Sequence, residues 1–210
     1  MLLIKMISNG KIRLLELWRK NLFSELSMAE IMKEAKKKTK TWVFNTLKLL
    51  VKNEILISTR KANLNIYRLN LNNPLSLQLL QYLETQENLS SPELGIISEI
   101  IGKIPVKSCS IIVFGSYAEG KQTKNSDLDI CILVEDKRVE KRIKAYVNDV
   151  KMDYPMRIDE HYITFDEFVK MLLRDEENLA KQIFIKHRLF YNAEIYYQVV
   201  KEAYKNGFRP

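Results

Sequence analysis

A short apolar run, Ser110-Ile111-Ile112-Val113-Phe114, stops abruptly at Gly115-Ser116, and a second run, Ile130-Cys131-Ile132-Leu133-Val134, is introduced by Asp127-Leu128-Asp129. Between them lies the polar stretch Tyr117 to Ser126, with one further glycine at position 120. Apolar segments this short, bounded by turn residues and rich in β-branched side chains, read as buried strands rather than helices. The chain must therefore build a sheet whose faces are covered. Residues two apart on an extended strand share a face, so Asp127 and Asp129 point the same way, toward the end of the strand next to the Gly-Ser turn.

Carboxylates held that close repel one another unless a divalent cation lies between them, and Mg²⁺ is expected on that ground. Gly115 removes the side chain where a ligand must come near. The backbone N–H groups that follow, with the Ser116 hydroxyl, suit a phosphate oxygen. Together these are the parts of a phosphoryl- or nucleotidyl-transfer site.

The charge is unevenly spread. Residues 1–90 hold 15 Lys/Arg and 7 Asp/Glu, whereas residues 91–210 hold 19 of each, so the whole formal charge of +8 lies in the first part. Either a polyanion partner or a merely solvated lysine surface accounts for this. No apolar run is long enough to cross a membrane, and the N-terminal apolar stretch is too short for a signal segment. A soluble, cytoplasmic protein is expected. Cys109 and Cys131 sit inside apolar runs and read as buried free thiols.

In the basic part, periodicity predicts a helix over Lys11–Leu22, then a capping box, Ser27 with Glu30, opening a helix over Met28–Ala35. Lys36, Lys37 and Lys38 form a basic turn, a third helix runs from about Thr39 to Lys52, and Ile55–Arg60 and Asn65–Leu69 read as a hairpin. Three helices and a hairpin resemble the winged helix-turn-helix family. That resemblance implies contact with DNA or RNA through Lys37, Lys38, Lys40 and Thr41 at the leading end of the third helix, and through Arg60 and Lys61 on the wing. Trp42 is expected to anchor the helix, with base stacking as the other reading. A helix from Pro74 to about Thr85 trails the wing, and the polar stretch Gln86–Pro92 divides the chain into residues 1–88 and 89–210.

In the second part, Glu93–Ile104 and Lys137–Val150 read as helices and Met156–Ile163 as a strand. From Phe165 onward the pattern reads as helical throughout, with His187 on a helix as a bystander and Tyr196 and Tyr197 packed in a core. The fold class expected is α+β: the winged unit, then a mixed sheet with C-terminal helices.

Strand, Gly115-Ser116, Gly120 and Ser126-Asp127-Leu128-Asp129 together resemble the signature of the polymerase-beta-type nucleotidyltransferase superfamily in its minimal form. The resemblance spans about residues 93–165, and the whole layout is similar to prokaryotic proteins that fuse a winged helix to such a domain. It implies a third carboxylate on a later strand, for which Asp159 is favoured over Glu160, since alternation sets Arg157, Asp159 and His161 on one face. It further implies that Asp127, Asp129 and Asp159 hold two Mg²⁺ ions, and that Gly115, Ser116 and Ser126 bind the nucleoside triphosphate. The activity implied is transfer of a nucleotidyl group, AMP from ATP, to a hydroxyl of a protein, RNA or small molecule. The alternative is a DNA-binding transcriptional regulator or antitoxin-like protein whose transferase domain senses nucleotide or is inactive. A homodimer fits either reading.

Overall fold

In the computed structural model, which describes residues 7–35 and 39–210, the chain divides between Leu83 and Glu84. The first unit opens with helix α1 (Asn9–Ile12), a 3-10 turn (Arg13–Leu15) and helix α2 (Glu16–Lys20), where periodicity predicts one continuous helix. The tighter turn brings Leu14 and Leu15, neighbours in sequence, both into the core beside Ile12 and Trp18. A two-residue strand, β1 (Leu26–Ser27), is too short to show any periodicity. Ser27 then caps helix α3 (Met28–Glu34): its side chain accepts from the Glu30 N–H while the Glu30 carboxylate accepts from the Ser27 N–H at 2.7 Å, the capping box its spacing predicts.

Helix α4 (Lys40–Lys52) starts at Thr39, whose hydroxyl accepts from the Trp42 N–H at 3.2 Å, and it buries Val43, Leu47 and Leu50. Strands β2 (Leu56–Lys61) and β3 (Leu64–Leu69) form an antiparallel hairpin, and β1 adds to its far side in the order β1-β3-β2. This order of helices and strands makes the first unit a winged helix-turn-helix. The hairpin turns through Ala62 at φ 51°, the left-handed region that a β-carbon disfavours.

Helix α5 (Pro74–Asn88) begins where Asn73 accepts from the Leu75 N–H at 2.9 Å. The division into units falls inside this helix, ahead of the boundary at 88/89 read from composition. Its last turn bonds into the second unit: the Tyr197 hydroxyl donates to buried Glu84 at 2.7 Å, and the Asn88 amide donates to the Leu189 carbonyl at 2.8 Å.

The second unit is built on four strands, β4 (Cys109–Val113), β5 (Leu128–Val134), β6 (Ile158–Thr164) and β7 (Arg188–Tyr191), in the order β6-β5-β4-β7. The sheet is mixed: β4 pairs antiparallel with β5 and β7, while β5 pairs parallel with β6. One face is covered by helices α6 (Leu94–Lys103) and α8 (Lys137–Met152), whose Ile97, Ile100, Ile143 and Val147 pack on Leu128, Ile130 and Ile132. The other carries α9 (Phe165–Leu173), α10 (Leu179–Ile185) and α11 (Ala193–Lys205), which bury Phe168, Leu172, Ile183, Tyr196 and Tyr197. Between β4 and β5 lies the short helix α7 (Gly115–Glu119).

Strand β7 corrects the reading of a wholly helical C-terminal part. Four residues, Arg-Leu-Phe-Tyr, are too few to separate period 2 from period 3.6, and only pairing with β4 makes them a strand. His187 accordingly lies between α10 and β7 rather than on a helix, its Nδ1 2.7 Å from the Ile183 carbonyl. Cys109 and Cys131 are buried free thiols, and burial pushes the Cys109 thiol up to about 11, far from reactive thiolate. Among the described residues no helix is long and apolar enough to cross a membrane.

Ser27→Ala removes one acceptor of the capping box and is expected to destabilise the first unit by about 1 kcal/mol. Ala62→Gly relieves the left-handed turn and is expected to stabilise it by roughly 0.5–1 kcal/mol. Urea unfolding followed by circular dichroism reads both, as midpoint shifts of opposite sign.

Candidate nucleotidyl-transfer site

The site sits where β5 begins, between β4 on one side and β6 on the other. Val113 pairs with Ile130, and the ladder runs one step further, the Phe114 N–H donating to the Asp129 carbonyl at 3.1 Å. The chain must leave the sheet immediately afterwards. Gly115 does so at φ 63°, and a β-carbon there would stand 2.1 Å from Oδ2 of Asp129. Glycine is thus required both by the backbone and by the carboxylate lying against it.

On the other side of β5 the parallel register sets Asp129 opposite Asp159 and Cys131 opposite His161. Register partners project to the same face, so the Asp129 and Asp159 carboxylates are neighbours at one end of the sheet. Glu160 projects the other way and forms an ion pair with Lys151 of α8. Asp127 lies just before β5, half-buried like Asp129, and Leu128 between them is buried in the core.

Burial, and then the charge of Asp159, raise the pKa of Asp129; Asp127 adds to the rise and His161 offsets part of it. Asp129 therefore feels the charge of both neighbouring acids, as its position between them requires. They do not close into a ligand cluster: among the described residues no three His, Cys, Asp or Glu side chains come close enough together to hold a metal ion. Asp127 is instead turned to Arg157, Oδ2 to Nε 3.6 Å, and Asp159 to His161, Oδ2 to Nε2 3.4 Å. The His161 ring in turn lies against Phe114, centroids 5.6 Å apart. Basic side chains thus stand where the mutual repulsion of the acids would otherwise go unanswered. The donor set, carboxylate oxygens without thiolate, fits a hard cation such as Mg²⁺ in kind.

Ser116 lies in the first turn of α7, half-buried, and its carbonyl accepts from the Lys121 N–H at 2.9 Å, folding the loop back on the turn. Ser126 holds the loop from the other end: its hydroxyl accepts from the Thr123 N–H at 2.9 Å. Lys121 pairs with Glu119 at 2.7 Å. Alternation in the sequence sets Arg157, Asp159 and His161 on one face but gives Arg157 no partner; its contact with Asp127 depends on pairing of β5 with β6, which no local spacing reveals.

Of the residues expected to meet nucleic acid, Lys37 and Lys38 lie outside the described residues. Lys40 and Thr41 are exposed in the first turn of α4, and Arg60 and Lys61 are exposed at the end of β2, Lys61 paired with Glu25. The same face of α4 exposes Phe44, Asn45 and Lys48, with Phe44 52% exposed. The helical spacing of these residues from Lys40 and Thr41 was the signal that could have found them.

Gly115→Ala is expected to cost about 1–2 kcal/mol for the backbone alone, and more for displacing Asp129. For Asp129 the sign is opposite. A carboxyl whose pKa is higher folded than unfolded makes the folded state less stable as pH rises through that window. Asp129→Asn is therefore expected to raise the melting temperature at pH 7, with the gain vanishing once pH falls below the ordinary range of an aspartate. Thermal melts of both chains between pH 3 and 7 test this, and a gain that persists at pH 3 refutes it.

Residues 96–191 match the family model of the nucleotidyltransferase domain, just under half the chain. A search of the curated proteins finds no match. Among solved structures, a similar chain is TrmBL2, described as an archaeal chromatin protein with a novel mode of DNA binding. It shares 14% identity over 73% of this chain and 70% of that one, with a TM-score of 0.23, too slight a likeness to inform fold or function. Gly115, Asp127, Asp129 and Asp159 all lie within the stretch that matches the nucleotidyltransferase domain.

Proposed function

We propose that the second unit transfers a nucleotidyl group, AMP from ATP, to a hydroxyl acceptor, and that the first unit binds DNA. The observation that carries the reading is the Asp129 carboxylate lying against Gly115 with Asp159 in register beside it. That juxtaposition sets a glycine-serine turn of the kind that receives phosphate beside the acids needed next to the reacting phosphorus. Asp127, Asp129 and Asp159 would hold Mg²⁺, two ions by the family resemblance. Bound there, the metal would neutralise charge on the triphosphate and on the attacking oxygen.

The chain's own residues do the rest. Gly115 and Ser116 receive the β- and γ-phosphates, and Ser126 keeps the loop over them through its bond to Thr123. The acceptor hydroxyl forms a bond to the α-phosphorus, the bond from that phosphorus to the bridging oxygen breaks, and pyrophosphate leaves. The hydroxyl proton goes to Asp159, beside which His161 can take it on.

A second reading is favoured by a different observation. The contacts of Asp127 with Arg157 and of Asp159 with His161 are those of acids balanced by the protein itself. In that reading the chain is a DNA-binding regulator or antitoxin-like protein, and the transferase domain senses nucleotide without turning it over.

Incubation with α-labelled ATP and Mg²⁺, with and without cell extract, separates the two. Transfer is expected to label an acceptor and to fall at least about a hundredfold, nearly 3 kcal/mol of barrier, in Asp129→Asn. Labelling that survives the substitution defeats the transferase assignment. For the first unit, duplex DNA binding is expected to weaken linearly with the logarithm of salt concentration, and Lys40→Ala to lower that slope by about 1. A salt-independent affinity removes the DNA reading.

A further inference from the structure

The outer face of α4 is built from residues that folding does not call for. Val43, Thr46, Leu47 and Leu50 are buried, while Thr41, Phe44, Asn45 and Lys48 are exposed at the i, i+3, i+4, i+7 spacing of the opposite face. At exposed helix positions packing decides nothing, and propensity favours alanine, glutamate, lysine or glutamine. Threonine, phenylalanine and asparagine form helix less readily, yet they occupy three of these four positions. Phe44 keeps 52% of its surface in water. The Asn45 amide and the Lys48 ammonium have no side-chain partner among the described residues. The helix contains no acid, so nothing on it repels an anion.

Resting on the DNA-binding reading of the first unit, we propose that this face reads base edges as well as phosphate, and that the bases are A·T pairs. Lysines attract any duplex and carry no base preference. A phenylalanine and an asparagine do. In the major groove only thymine presents a methyl group, and an apolar ring laid on it leaves no hydrogen-bonding group unmatched. Only adenine sets the acceptor N7 beside the donor N6, which match the N–H and the carbonyl of one asparagine amide. Guanine offers two acceptors there and would leave the Asn45 carbonyl without a donor. Phe44 and Asn45 are consecutive, so the methyl and the adenine edge they take lie on the same or neighbouring base pairs. The neighbours of Phe44 on this face are a hydroxyl, an amide and an ammonium, which suit a polar groove and not an apolar protein patch.

The test uses the full chain and duplexes with a random central segment. Sequencing the duplexes that remain bound as salt is raised is expected to show a motif containing adjacent A·T pairs. In the enriched duplex each thymine is then replaced singly by deoxyuridine, which removes the 5-methyl group and nothing else. Anisotropy with fluorescein-labelled duplex is expected to show a loss of about fourfold at one thymine, the worth of one buried methyl. Phe44→Ala is expected to bind the thymine duplex more weakly and to lose nothing further on deoxyuridine, while Phe44→Leu keeps the discrimination. Asn45→Ala is expected to lose the preference for adenine over guanine at one position. Equal losses on deoxyuridine in wild type and Phe44→Ala overturn the proposal, as does salt-dependent binding without base preference; in both cases the DNA reading of the first unit stands. Unaltered DNA binding in Phe44→Ala with a changed oligomeric state in sedimentation gives the face to contact between copies, and overturns it as well. Absence of duplex binding at low salt removes the DNA reading and the base assignment together.

Discussion

The pairing of β5 with a strand on each side is the constraint on which the second unit depends. From Ile130 to Val134 every residue of this strand is buried, so its register against β4 and β6 is dictated by apolar side chains that must stay dry. A slip of one residue would send Leu128, Ile130 and Ile132 to the face that Cys131 and Leu133 now fill, and turn the Asp129 carboxylate toward α6 and α8. The same ladder that protects the core therefore delivers Asp129 to the open end of the sheet, with Gly115 on one side and Asp159 on the other.

Holding acids at that place has a cost that the structure distributes. Asp129 is partly withdrawn from water beside like charges, which raises its pKa, and it lies against a glycine that can accept no other residue without displacing it. Asp127 and Asp159 are each met by a basic group from β6 or just before it, Arg157 and His161. A site that binds a polyanion with a divalent cation needs acids that are not permanently neutralised. Contacts of 3.4–3.6 Å, half-exposed, are weak enough for a cation to compete with.

Much of this was legible in residues close together in the chain. The capping box of Ser27 and Glu30, the start of α4 at Thr39, the burial of Tyr196 and Tyr197 and the strands on either side of Gly115 all follow from local spacing, where the relevant partner is at most a few positions away. Strands β1 and β7 were not legible, being two and four residues long and defined only by pairing with β3 and β4. Nor was the division at Leu83, since the final turn of α5 is assigned by bonds from Glu84 and Asn88 to residues a hundred or more positions away.

The amino-acid sequence by itself determined which strands are buried, where glycine must stand, and that Asp127 and Asp129 share an end of β5, because period-2 alternation and the exclusion of a side chain at Gly115 are local properties of the chain. Only the tertiary structure decided that Asp129 lies opposite Asp159 and that Arg157 answers Asp127 across β5 and β6. Both strand relations join residues thirty positions apart, and they arise from register, which is set by burial of the whole core rather than by any short stretch of it.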